Sequence, residues 1–424
     1  MLQAASREPQ AYHPHDPTVR TVLLGGIVAF SLAVGAAAGA EGPWPRHTID
    51  DSSRGADGVR LRDVDADGDE DIVTGWEEGG ITRVYLNPGP EKAKERWPAV
   101  TVGKTPNVED ALLCDLDRDG AADVVTCCEG RTRTVFVHRA PKARDRYLDP
   151  LAWTTEALPV SVGRMMWMFA VPLTVDRRRG IDLVAAGKGK GAAVGWFRIP
   201  KDKPRDLTAW TWHTIEAVGW VMSLRTADVN QDGFADILGS DRKGPTRGVF
   251  WLDNPRGKGD PADAGAWRRH EIGGKGREVM FLDYADLDGD GLRDVVVAAK
   301  PRDILFCRSL SKDAKQWEER TIRMPETAGT AKAVAVGDID ADGKMDLVFS
   351  CEGATPPRSG VMWLRNAADT FASAAWPAHD VSGPEGVKFD RMELLDLDGD
   401  GDLDVLTCEE RAGLGVIWYE NPAR

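Results

Sequence analysis

The chain has 424 residues, with 54 Lys and Arg against 68 Asp and Glu, for a formal net charge of −14. Apolar residues make up 42% of it, enough to build a packed core and to exclude general disorder. The acidic balance argues against nucleic acid, which proteins meet with a basic face, and against an anionic membrane surface. Trp, at 15, outnumbers both Tyr at 5 and Phe at 11, as though one structural slot were refilled by Trp many times over.

In chain order, the first feature is an address. Residues 21–40, TVLLGGIVAFSLAVGAAAGA, follow Arg20 and end in Ala38-Gly39-Ala40. A basic flank, a short apolar stretch and a small-x-small end predict a secretory signal peptide cleaved after Ala40, hence a secreted or periplasmic protein. An uncleaved anchor is the alternative, since about twenty residues can just span a bilayer, but the Gly and Ala content weakens it. The polar residues 1–20 form an extension; a start at Val19 would leave a short segment carrying Arg20. No later apolar run is long enough to span a membrane, so no stable span is expected after cleavage.

From residue 44 onward the sequence repeats. DVDADGDEDIV begins at Asp63, DLDRDGAADVV at Asp115, DVNQDGFADIL at Asp228, DLDGDGLRDVV at Asp286, DIDADGKMDLV at Asp338 and DLDGDGDLDVL at Asp396. A damaged copy, VDRRRGIDLV, carries Asp176 and Asp182. First-Asp spacings are 52, 61, 52, 58, 52 and 58 residues. Each unit also holds a Trp-led segment: WPRHTI (44–49), WPAVTV (97–102), WTTEAL (153–158), WTWHTI (210–215), WRRHEI (267–272), WEERTI (317–322) and WPAHDV (376–381). An apolar run precedes each loop and β-branched residues follow it. A further strand then carries one aromatic: Tyr85, Phe136, Trp196, Trp251, Phe306, Trp363 or Trp418. Four short strands per unit at this period predict an all-β, seven-bladed β-propeller with four antiparallel strands per blade, one domain over 41–424. If the Trp-led strand is the outermost strand of the preceding blade, residues 44–49 complete the last blade beside 415–420 and leave no open edge.

The aspartate loops place side-chain oxygens at positions 1, 3, 5 and 9 with Gly at 6, a pattern of hard oxygens on a sharp bend that suits Ca²⁺ better than Mg²⁺. No Cys or His lies in any loop to serve a softer metal. An EF-hand would need Glu at position 12; here that position holds Thr74, Thr126, Gly239, Val297, Phe349 and Thr407. The loop therefore closes at position 9, inside a hairpin.

With these motifs in place, residues 44–422 resemble the FG-GAP/VCBS-type repeat proteins, whose best-known relative is the propeller of integrin α-subunits. The Phe-Gly-x-Gly-Ala-Pro signature is missing, which places the chain nearer the bacterial VCBS-like branch. The resemblance implies calcium ligands at Asp63, Asp65, Asp67 and Asp71; at Asp115, Asp117, Asp119 and Asp123; and at Asp228, Asn230, Asp232 and Asp236. It implies three further sets: Asp286, Asp288, Asp290 and Asp294; Asp338, Asp340, Asp342 and Asp346; and Asp396, Asp398, Asp400 and Asp404. About six structural Ca²⁺ would add twelve positive charges, so −14 becomes −2. No metal is expected in the damaged unit, where Arg177, Arg178 and Arg179 fill the gap.

The face opposite these hairpins gathers charge: Glu77, Glu78, Glu129, Lys188, Lys190, Asp241, Arg242, Lys243, Lys300, Arg302, Glu352, Arg358, Glu409, Glu410 and Arg411 follow the β-branched runs. Glu109, Asp110, Arg277, Glu278, Asp390 and Arg391 precede inner strands. As a ring they suit a glycan or a protein ligand; taken singly, each is expected to be a solvated loop tip. Catalytic candidates are thin. His47, His213, His270 and His379 share one slot of the Trp-led strand and read as architecture, leaving His138 as the unpatterned one. No nucleophile elbow, zinc-protease motif or phosphate loop is present. The reading is an exported, monomeric, calcium-stabilised binding module with no nucleic-acid partner. A carbohydrate-active enzyme, a polysaccharide lyase or sugar dehydratase using the central funnel, is the alternative. The six Cys read as small packing residues, not as a disulfide framework.

Overall fold

The computed structural model describes residues 42–175, 180–255, 259–366, 370–373 and 375–422. The signal peptide expected over 1–40 lies outside these residues, as do Asp176 and Arg177–Arg179 of the damaged repeat. Among the described residues no helix is long and apolar enough to cross a membrane.

The run after each aspartate loop becomes a strand buried on both faces, as in Asp71–Trp76, Asp123–Cys128 and Asp294–Ala299. Such a strand needs partners on either side. It finds them in seven four-stranded antiparallel sheets, the blades of a propeller. Blade 1 runs from its innermost strand Ala56–Arg62 through Asp71–Trp76 and Ile81–Tyr85 to the outermost, Ala99–Lys104. Blades 2 to 6 repeat this order with strands lying within 108–157, 166–217, 221–273, 279–323 and 330–380.

Blade 7 takes three strands from 389–419 and its outermost one from the front of the chain, Arg46–Asp50. The closing register pairs Arg46 with Tyr419, His47 with Trp418 and Thr48 with Ile417, so the ring shuts as the repeat order requires. Apolar clusters fill the spaces between neighbouring blades. Phe169 of blade 3 meets Phe281 of blade 5 edge-on, at 5.6 Å between ring centroids, and packs with Met168, Met222 and Met280.

The Trp excess resolves into two slots. In one, Trp97, Trp153, Trp210, Trp267 and Trp317 donate Nε1–H to a carbonyl of the connection just before the outermost strand, at 2.8–3.1 Å. Most of these tryptophans precede the strand rather than open it; Trp317 alone lies within one. In the other slot, third-strand Trp stacks on outer-strand His: His47 on Trp418, His213 on Trp196, His270 on Trp251 and His379 on Trp363, with centroids 4.1–4.8 Å apart. These four histidines are architectural.

Register corrects two members of the expected aromatic series. The residue two past the position-9 Asp pairs with the slot; it faces Trp418, Trp363, Phe306, Trp251 and Trp196, but Val84 in blade 1 and Val137 in blade 2. Tyr85 lies one residue later, as does Tyr419, and Phe136 one earlier, on the other side of the pleat. A one-residue offset in a strand reverses the face.

Candidate metal loops and the opposite rim

All six intact aspartate loops join the innermost strand of a blade to its second strand, so they share one face of the ring. Backbone geometry makes them. Gly68, Gly120, Gly233, Gly291, Gly343 and Gly401 at position 6 have φ between 86° and 105°, where a Cβ is costly. Position 4 is also left-handed in every copy, at Ala66, Arg118, Gln231, Gly289, Ala341 and Gly399, a requirement the Asp-Gly pattern does not announce.

Within each loop the aspartates first organise the turn. The position-1 carboxylate accepts from the position-6 amide, as Asp115 does from Gly120 at 3.1 Å and Asp338 from Gly343 at 2.9 Å. The position-5 carboxylate accepts from the amide two residues on, as Asp67 does from Asp69 at 2.9 Å. Position 9 has a role that loop spacing alone does not reveal. Asp71 accepts from Val64 N and Asn87 N, both at 2.8 Å, fastening the loop to the end of the third strand. Asp236, Asp294, Asp346 and Asp404 repeat both bonds at 2.7–3.1 Å. Asp123 and Asp182 keep the third-strand bond, from Ala140 N and Ile199 N, each at 3.0 Å. The damaged blade thus retains this one aspartate for a structural reason independent of any ion.

The donor set fits a hard cation. Carboxylate oxygens of Asp63, Asp65 and Asp71 lie within 4.8 Å of one another, as do those of Asp115, Asp117 and Asp119, and of Asp286, Asp288 and Asp290. Burial pushes the position-9 carboxyls up: Asp71, Asp294, Asp346 and Asp404 to about 7, Asp123 to about 6 and Asp236 to about 8, with neighbouring loop carboxylates adding to the rise. In the last loop Asp398 Oδ1 and both oxygens of Asp402 are buried without a hydrogen-bond partner. Crowded, under-satisfied carboxylates of this kind are stabilised by a divalent ion in their midst. Sequence reasoning missed Asp402, at position 7, because the repeated side-chain pattern covers only positions 1, 3, 5 and 9.

The opposite face is built from the two remaining kinds of connection. The sixth residue after each position-9 Asp is charged in all seven blades: Glu77, Glu129, Lys188, Arg242, Lys300, Glu352 and Glu410. The signs are sorted: Glu in blades 6, 7, 1 and 2, and Lys or Arg in blades 3, 4 and 5. The two borders between arcs are ion-paired, Lys188 with Glu129 and Lys300 with Glu352. These groups are not solvated loop tips, contrary to expectation for each alone. Lys188 also holds Glu109 at 2.9 Å, Lys332 holds Asp390 at 2.8 Å, and Lys388 pairs with Glu410. Oxygens of Asp57, Asp390 and Glu410 lie within 4.8 Å of one another, and burial with the Asp390 charge holds the Asp57 carboxyl well above its usual range. Trp220 is flanked by Lys188, Arg242 and Lys243, each 4.4–4.6 Å from its ring centroid.

His138 is fully buried between Thr126 Oγ1 at 3.1 Å and Thr155 Oγ1 at 2.8 Å, and burial lowers its pKa to about 3. It is a packed, neutral imidazole. All six cysteines are buried and free.

Fold and loops together define a seven-bladed β-propeller with repeated Asp-rich hairpins. A family model described as an FG-GAP-like repeat matches residues 37–126 and 250–349, so the chain is a propeller carrying FG-GAP-like repeats. A search of curated proteins found no match. Among solved structures, BBS1N in complex with ARL6DN, soaked with lead, aligns with a TM-score of 0.51 and 10% identity, over 90% of this chain and 98% of that one. The mercury-soaked form of the same complex gives 0.49 and 10%, over 91% and 99%. At this identity the likeness concerns the fold alone.

Proposed function

We propose that this protein is an exported, calcium-stabilised binding module that recognises a glycan or a protein with the rim opposite its aspartate loops. One observation carries the reading: a single structural slot is charged in all seven blades and sorted by sign into two arcs. Solvation alone gives no reason for such order, whereas a ligand spanning the funnel mouth reads both arcs at once. Export is read from residues 21–40, and extracellular calcium levels suffice even for weak loops. The calcium loops hold the ring; the rim meets the ligand.

The test is a glycan array probed with the wild-type protein and with two charge-reversed variants, Arg242→Glu on the rim and Lys344→Glu on the loop face. Binding lost only with Arg242→Glu supports the reading. Binding unaffected by Arg242→Glu, or lost equally with both, contradicts it. A lyase assay on acidic polysaccharides runs alongside; ultraviolet-absorbing product would favour the enzymatic alternative.

A further inference from the structure

Along the rim of blades 3, 4 and 5 several cations lack a counter-charge. Lys188 and Lys300, at the two borders of this arc, are ion-paired, and Arg242 pairs with Glu278. Lys190 stands on the connection between the second and third strands of blade 3, Lys243 on the same connection of blade 4, and Lys275 between blades 4 and 5. All three are exposed, and among the described residues none has a carboxylate in ion-pair range. Arg302, half-buried on the matching connection of blade 5, has none either.

Trp220 stands within this arc, on the connection between blades 3 and 4, and its backbone is fastened from both sides. Asp241, fully buried, accepts from Gly219 N at 3.0 Å and from Trp220 N at 2.8 Å, and Arg242 N donates to the Trp220 carbonyl at 2.7 Å. On the blade-3 side Gly189 N donates to the Gly219 carbonyl at 3.0 Å. A Cβ on Gly219 would lie 2.1 Å from the Lys243 carbonyl oxygen, so glycine is what lets the two turns meet this closely. Three cations surround the indole fixed in this way. Lys188 and Arg242 also have carboxylate partners, whereas the Lys243 ammonium has only the ring, 4.6 Å from its centroid. A cation–π contact positions a cation without neutralising it. Trp220 Nε1 is buried with no acceptor, and the buried carboxylate of the turn, Asp241, is occupied by backbone amides. The result is a preformed positive spot with donors in excess of acceptors.

Resting on the reading of the rim as a ligand face, we propose that its basic arc over blades 3 to 5 binds an acidic polysaccharide, a chain of uronate or sulfate-bearing sugars, with Lys243 beside Trp220 as the central contact. Single cations on successive connections suit a chain that carries anions at regular intervals. The Glu arc across blades 6, 7, 1 and 2 repels the same chain and confines it to one side of the funnel mouth. A protein partner is less well served. Protein interfaces draw most of their energy from apolar and aromatic anchors. Of the exposed large apolar side chains among the described residues, Leu148, Leu151, Val162 and Leu310, only Val162 lies on this face.

Biolayer interferometry across a salt series measures binding of the full chain to dextran sulfate, polygalacturonate, neutral dextran, polyglutamate and duplex DNA, with circular dichroism confirming the fold of each variant. The wild type is expected to bind at least one of the two acidic polysaccharides, with log K falling linearly in log salt, and to bind the other three probes at least about tenfold more weakly. Lys243→Ala is expected to weaken binding about fivefold and to reduce the salt slope by about one, whereas Lys344→Ala on the loop face changes neither. No acidic polysaccharide bound at low salt, or binding that Lys243→Ala leaves unchanged, overturns the proposal. Polyglutamate bound as tightly points to an acidic protein instead, and DNA bound as tightly points to unselective capture of polyanions; either overturns it. A neutral or amino glycan bound in place of an acidic one, and lost with Arg242→Glu, overturns it while leaving the rim reading intact. No effect of Arg242→Glu or Lys243→Ala on any bound glycan overturns both.

Discussion

Ring closure hangs on the first strand, and Asp50 ties that strand to blade 1. Its carboxylate accepts from Ser52 N and Oγ at 2.9 and 2.7 Å, from Arg83 Nη1 at 2.6 Å and from Tyr85 OH at 2.9 Å. These bonds hold its pKa low against the opposing effect of burial. Asp50→Asn keeps the volume but removes the charge facing Arg83, whose side chain is 20% exposed, and the strongest acceptor facing the fully buried Tyr85. Weakening a partly buried charged network of this kind costs about 2–4 kcal/mol. With unfolding entropy near 2.1 cal/mol/K per residue over roughly 380 residues, 3 kcal/mol lowers Tm by about 4 °C. The neighbouring Asp51 pairs with Arg96 at 2.6 Å, but that pair is 58% and 42% exposed, so Asp51→Asn should cost at most about 0.5 kcal/mol. Paired thermal melts at neutral pH compare the two. Below the folded pKa of Asp50 the wild type loses this contribution, so its gap to Asp50→Asn should also close on acidification. Equal shifts for Asp50→Asn and Asp51→Asn would refute the role of this network in closure.

Three further expectations follow from the geometry. His138 is buried neutral, with a folded pKa near 3 against an unfolded value of 6.5, so the unfolded chain binds the extra proton between those limits. Its contribution is complete above pH 6.5 and is lost as pH falls towards 3, by up to about 4–5 kcal/mol; His138→Gln should flatten the Tm–pH curve across that window. Asp182→Asn should cost about 1–3 kcal/mol equally with and without calcium, because its bond to Ile199 is a fastening within the blade, whereas the cost of Asp65→Asn should shrink in chelator. The six cysteines should resist a thiol reagent in the native state and all react on unfolding; fast labelling of any of them in the folded protein would contradict their burial.

Much of this fold was legible because the constraint is local and repeated. Asp-Gly hairpins fix where the inner pair of strands turns, and the Trp-led segment, present before the first loop and absent after the last third strand, announced the exchange at the seam. What escaped was whatever depends on register or on distant partners. Val84 and Val137 occupy the slots that the aromatic series assigns to Tyr85 and Phe136, because composition does not reveal a one-residue offset. Arg205 donates to the Asp119 carboxylate across 86 residues of sequence, a pairing that only the folded ring brings about. The rim was half visible: its charges were evident, but their sorting into arcs required the seven strands to be aligned on position 9. Sequence also overvalued the equivalence of the loops, since shared ligands at positions 1, 3, 5 and 9 conceal the different cations and acids around them.

The central claim is that calcium holds this ring together, and a melt in calcium against a melt in chelator tests it most directly. Each site filled at about 100 times its dissociation constant contributes about 2.7 kcal/mol, so even two filled loops raise Tm by roughly 7 °C by the entropy used above. The account predicts a Tm that rises by about that amount on adding calcium to the chelator-stripped protein, and keeps rising with the logarithm of calcium concentration. Superimposable melts in calcium and chelator would contradict it.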